Sequence, residues 1–117
     1  MYIDTRTEDS EQEAVIEWCA YRKITVVHIP NEGKRTLSQG RRLKRIGLQK
    51  GFPDLFFPEA RKGFHGLFIE LKRDRRSSPT REQKEWIELL NSKGYRATVC
   101  YGAKDAIAEL CRYFDIP

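Results

Sequence analysis

Gly66-Leu67-Phe68-Ile69-Glu70-Leu71-Lys72 reads as a strand with a chemical problem in it. Successive side chains of a strand point to opposite faces, so Leu67, Ile69 and Leu71 share one side and Phe68, Glu70 and Lys72 the other. A carboxylate and an ammonium then project together from an otherwise apolar strand. Burying such groups costs free energy unless each finds a partner. The preceding stretch offers one. Gly51-Phe52-Pro53 is a turn signal, and Asp54-Leu55-Phe56-Phe57 is a second strand ended by Pro58. A hairpin through the polar loop 59–65 carries Asp54 to the same spot. Two carboxylates beside a lysine make an oxygen-ligand site for a hard divalent cation, Mg2+ or Mn2+. The Glu-x-Lys spacing alone does not decide the matter: it occurs three times, at 32–34, 70–72 and 82–84. It also fits an ion pair on a solvent face. Only Glu70-Leu71-Lys72 lies in an apolar strand preceded by Pro53-Asp54.

The flanking sequence supplies the rest of an α/β chain. From Glu8 to Tyr21, Ala14, Val15, Trp18 and Cys19 recur at helical spacing behind an acid-rich first turn. Ile24-Thr25-Val26-Val27-His28-Ile29 is short and β-branched, a strand closed by Pro30-Asn31. A short helix around 39–45 interrupts the basic stretch that follows. Ser78-Pro79 reads as an N-cap followed by proline at the first helical position. That helix carries Gln83, Trp86, Ile87 and Leu90 on one stripe, with Gly94 just past its end. Tyr95–Tyr101 is a further strand, and Ala103–Phe114 a closing helix. The order α-β-β-β-α-β-α gives a small mixed sheet flanked by helices.

The 117 residues are enough for one domain over 1–117, with a single layered core. No apolar run approaches the ~20 residues of a membrane span, and Met1–Arg6 lacks a signal-peptide layout. A cytoplasmic protein is the expectation. Cys19, Cys100 and Cys111 are odd in number without a Cys-x-x-Cys pair, and there are two histidines. A disulfide scaffold, a zinc site and a histidine-based metal site are therefore not expected.

The net charge of +5 hides an asymmetry. Residues 1–20 hold six acids and one base, whereas residues 34–50 hold seven bases and no acid. Lys34, Arg35, Arg41, Arg42, Lys44 and Arg45 are the candidate nucleic-acid contacts, because such density suits a phosphate backbone. A solvated loop is the other reading of the same run. No base-reading motif is visible, so recognition by shape is expected over recognition by sequence. Of the aromatic residues that could stack on unpaired bases, most are expected in the core, and Phe64, in a loop, is the exception.

Taken together, Gly51-Phe52-Pro53-Asp54-Leu55, Gly66–Lys72 and Ser78-Pro79-Thr80-Arg81-Glu82-Gln83-Lys84-Glu85-Trp86 resemble the VRR-NUC nucleases, the virus-type replication–repair branch of the PD-(D/E)XK superfamily. The resemblance takes in Pro30–Arg35, Lys93-Gly94-Tyr95-Arg96 and Glu8-Asp9-Ser10-Glu11-Gln12, nearly the whole chain. It implies a restriction-endonuclease-like αβββαβ core with a C-terminal helix, of the stand-alone phage and bacterial type. By position it makes Asp54 and Glu70 metal ligands, Lys72 the catalytic lysine and Gln83 a supporting residue on the next helix. It also implies a metal-facing glutamate on the first helix. Glu8, one turn before Gln12 on the same face, fits best, with Glu11 and Glu13 left open.

The activity implied is divalent-metal-dependent hydrolysis of DNA phosphodiesters. Branched DNA such as a Holliday junction is the expected substrate, with flap or single-strand cleavage behind it. A homodimer is the expected assembly, since a twofold protein matches a twofold junction. A non-catalytic nucleic-acid-binding module of the same fold is the alternative.

Overall fold

Three threonines set the starts of three helices. In the computed structural model, which describes residues 3–30 and 35–117, Thr7, Thr36 and Thr80 each close a reciprocal capping box, with Ser10, Gln39 and Gln83. In each box two orphan backbone N–H groups are satisfied at once. They open α1 (Glu8–Arg22), α2 (Leu37–Arg45) and α3 (Arg81–Ser92). The Thr80 box moves the start of α3 two residues beyond the Ser78-Pro79 cap expected from sequence. Thr80-x-x-Gln83 offers both partners, and Pro79 falls just outside the cap.

The sheet comprises β1 (Val27–His28), β2 (Leu55–Phe57), β3 (Leu67–Lys72) and β4 (Arg96–Tyr101), in that order. The pairings β1–β2 and β2–β3 are antiparallel; β3–β4 is parallel, with α3 as the crossover. Helix α4 (Ala103–Tyr113) closes the chain. The first strand is shorter than the 24–29 expected. Lys23 turns left-handed at φ 59° and ends α1, and the Ile24 N–H bonds back to the Cys19 carbonyl. That 6→1 bond consumes the residues the strand would have used. The remaining two-residue strand is an exposed edge.

Every residue of β3 is buried. Leu67, Ile69 and Leu71 join Leu55 and Phe57 in the larger core, against Val15 and Cys19 of α1 and Ala106, Leu110 and Tyr113 of α4. Phe68 faces the other way, with Ala97 and Leu90 of the α3 layer. Phe52, Phe56, Trp86 and Tyr95 complete that second cluster, at ring-centroid distances of 4.5–5.4 Å. The alternation read from sequence therefore divides β3 as expected. All three cysteines are free, with Cys19 and Cys100 buried.

Helix α2 contributes no buried residue to either core. The Cα radius of gyration, 15.1 Å, exceeds the about 13.4 Å of a compact chain of this length.

Candidate metal centre at one end of the sheet

The topology gathers the charged residues before any side-chain contact is considered. Since β2 and β3 are antiparallel, the start of β2 and the end of β3 lie at the same end of the sheet. β4 runs parallel to β3, so Tyr101 and Gly102 come there as well. The residues after β1 leave from that end too, because His28 lies opposite Leu55.

Asp54, just before β2, is 5% exposed, and Glu70 and Lys72 on β3 are 1% and 8% exposed. Each carboxylate has partners, but not enough of them. Asp54 Oδ2 accepts the Leu71 N–H at 2.9 Å. Glu70 Oε2 accepts from Gln83 Nε2 at 3.2 Å and lies 3.4 Å from Lys72 Nζ. Glu70 Oε1 is buried with no hydrogen-bond partner among the described residues. As a bare carboxylate oxygen such an atom carries a desolvation cost, which a proton shared with Asp54 or a bound cation offsets. Glu8, the first residue of α1, brings a third carboxylate. One oxygen each from Glu8, Asp54 and Glu70 lie within 4.8 Å of one another.

Burial raises the affinity of this cluster for protons. It pushes the Glu70 carboxyl up to about 9, reinforced by the neighbouring Asp54 charge and opposed by Lys72. Burial also raises Asp54, against the Leu71 N–H bond, the hydrogen bond shared with Glu70 and the Lys72 and His28 charges. Three converging acids that repel one another, one with an unpartnered buried oxygen, match the donor set of a hard divalent cation. The residues present fit such an ion.

The other N-terminal acids are placed differently. Glu11 Oε1 lies beside Gly102, 3.2 Å from where a side-chain carbon on that glycine would sit, and Glu13 is exposed. Gln83 is 9% exposed and sits against Glu70. Its own Oε1 accepts the Thr80 N–H at 2.8 Å, which leaves only its NH2 group to face Glu70.

Arg35, Arg41, Arg42, Lys44 and Arg45 are exposed, on or beside α2. Among the described residues none of the five has a carboxylate within ion-pair distance. Lys34 lies outside the described residues. Phe64 corrects an expectation: it is half-buried against the larger core, 6.4 Å from the Tyr113 ring, and is not placed to stack on a base. Sequence reading passed over two features, His28 beside Asp54 and the arginine-rich turn after Lys72. The run Arg73-Asp74-Arg75-Arg76, next to a candidate catalytic lysine, was the signal for the second.

Comparison with known proteins agrees with this fold. A solved structure described as a VRR-NUC domain protein is 33% identical, with a TM-score of 0.85, covering 97% of this chain and 93% of the other. A second, described as a VRR-NUC domain, shares the fold at 20% identity and a TM-score of 0.61, covering 92% and 96%. No match is found among curated proteins. A mixed four-stranded sheet flanked by helices, matched by a solved VRR-NUC structure at 33% identity, is a nuclease-type domain. The family model of the VRR-NUC domain matches residues 6–104, and the chain belongs to that family.

Proposed function

We propose that the protein is a divalent-metal-dependent deoxyribonuclease acting on branched DNA, a four-way junction first among its substrates. The observation that carries the reading is the buried, unpartnered Glu70 Oε1, within a trio of carboxylate oxygens less than 5 Å apart.

Glu8, Asp54 and Glu70 hold the cation, Mg2+ or Mn2+. When bound, it acidifies water and withdraws charge from the phosphate. Gln83 and the Leu71 N–H each hold one oxygen, of Glu70 and of Asp54 respectively, which leaves the other oxygen of each carboxylate for the cation. Lys72, 3.4 Å from Glu70, places an ammonium beside the cluster. Its role is to orient the attacking water and neutralise charge on the pentavalent phosphorus. The water releases a proton to solvent as its oxygen forms a new bond to phosphorus and the bond to the leaving oxygen breaks. The electron pair stays on the leaving oxygen, which takes up a proton, so one product end carries phosphate and the other hydroxyl. The basic residues of α2 hold the backbone without reading bases. A homodimer would present two such sites to two symmetry-related strands of the junction.

The test is incubation of the protein with labelled four-way, flap, duplex and single-stranded DNA in Mg2+, Mn2+ or EDTA. The proposal expects metal-dependent cutting, strongest on the junction, and none in EDTA. Binding without cleavage in every metal and on every substrate would overturn it in favour of a non-catalytic module.

A further inference from the structure

The turn that follows Lys72 presents one arginine differently from the rest. The Ser77 N–H bonds the Asp74 carbonyl at 3.1 Å, making Asp74-Arg75-Arg76-Ser77 a hydrogen-bonded turn with Arg75 at its second position. The Asp74 side chain stiffens it by accepting the Arg76 N–H at 2.9 Å. Asp74 also neutralises its neighbours: it pairs with Arg73 at 3.2 Å, Arg76 at 2.8 Å and Arg6 at 3.7 Å. Asp4 takes a second share of Arg6 and Arg76.

Arg75 is left out of this network. Among the described residues no carboxylate lies within ion-pair distance of it, and its guanidinium rests over the Tyr101 ring, 4.8 Å from the centroid. Tyr101 pairs in register with Lys72, so both side chains lie on the sheet face that carries Glu70. An aromatic face holds a guanidinium in place without cancelling its charge. The result is a positioned, uncompensated cation beside the candidate catalytic lysine, at the same sheet end as the carboxylates.

We propose that Arg75 is a substrate-positioning residue that binds a backbone phosphate flanking the scissile one, with the Tyr101 ring as its rest. This rests on the nuclease reading above. The Arg75 turn follows β3 at the sheet end that carries the carboxylates, and it leads into α3, against which the basic helix α2 lines a cavity. A guanidinium suits this task because its donors match two phosphate oxygens at once.

The experiment measures affinity for a four-way junction in Ca2+ across a salt series, then KM and kcat in Mg2+ or Mn2+. It compares the unmodified protein with Arg75→Ala, Arg75→Gln, Arg75→Lys and Lys93→Ala. Lys93 is exposed at the end of α3 away from the site, so its loss removes one charge without removing the contact. Expected are about tenfold weaker binding for Arg75→Ala and Arg75→Gln and a salt slope shallower by about 0.9. KM should rise more than kcat falls, Arg75→Lys should recover part of the affinity, and Lys93→Ala should leave slope and KM unchanged. If the unmodified protein cuts while Arg75→Ala and Lys93→Ala behave alike, the assignment of Arg75 fails and the nuclease reading stands. If the unmodified protein neither binds nor cuts any DNA, both fail.

Discussion

Gln83 holds Glu70 because Thr80 holds Gln83. The amide Oε1 accepts the Thr80 N–H at 2.8 Å, and the same amide donates from Nε2 to Glu70 Oε2 at 3.2 Å. A helix cap and a candidate metal ligand are thus oriented by one side chain. Gln83→Ala should lower metal affinity and cleavage by about 10- to 100-fold, the usual effect of losing a group that orients a ligand. Thr80→Ala should cost about 1 kcal/mol of stability and a smaller part of the activity. Calorimetric metal titration and thermal unfolding of the two variants separate the effects. Unchanged metal affinity in Gln83→Ala would remove the positioning role.

The carboxylate cluster makes stability depend on pH in a defined direction. Burial, then the Asp54 charge, raises Glu70 from 4.5 in the unfolded chain to about 9 in the metal-free fold. The folded state therefore binds this proton more tightly than the unfolded state does. The associated stability is fully present below about pH 4.5 and is lost as pH rises toward 9. A divalent cation replaces the proton, so adding Mn2+ should raise Tm more at pH 8 than at pH 5.5. Equal shifts at the two values would contradict the coupling.

Lys72→Ala should abolish turnover while leaving DNA binding in place, and Lys72→Arg should restore little. The guanidinium keeps the charge but differs from the ammonium in shape, reach and hydration. Single-turnover cleavage at saturating enzyme is the measurement. Near-normal rates in Lys72→Ala would place the chemistry elsewhere.

The basic helix makes an independent prediction. Arg41→Ala combined with Arg42→Ala and Arg45→Ala should weaken binding to all DNA sequences alike and flatten the salt slope by about 2.7, or 0.9 per contact. Cleavage at saturating enzyme should approach the unmodified rate. An unchanged slope would make the run a solvated loop and leave the DNA path to other residues.

What the sequence disclosed follows from where its signals are local. The alternation of β3 and the Pro53-Asp54 turn point to Asp54, Glu70 and Lys72, because period-two burial fixes which side chains share a face. Gln83 shows itself by its stripe position, whereas the Thr80 box that orients it, where the sequence points to a Ser78-Pro79 cap, emerges only in the fold. The first strand was overestimated because β-branched residues at 24–26 also serve as a helix-ending contact and as core packing. Nothing local tells a cap from a strand there. Phe64 was misjudged because a loop position does not reveal that α4 will cover it. The choice among Glu8, Glu11 and Glu13 depends on how α1 meets the sheet end, which helical spacing alone does not specify. The role of Arg75 was hidden because the partition of Asp74 among three arginines is a property of the folded turn.

The central claim is that Glu8, Asp54 and Glu70 together hold a divalent cation. Mn2+ binding, followed by the loss of its free electron paramagnetic resonance signal, tests it without reference to activity. The account predicts saturable binding by the unmodified protein at pH 8, loss of that binding in Asp54→Asn and Glu70→Gln, and weakening in Glu8→Gln. Both Asp54→Asn and Glu70→Gln should still bind junction DNA in the absence of metal. Undiminished Mn2+ binding in Asp54→Asn and Glu70→Gln would contradict the claim.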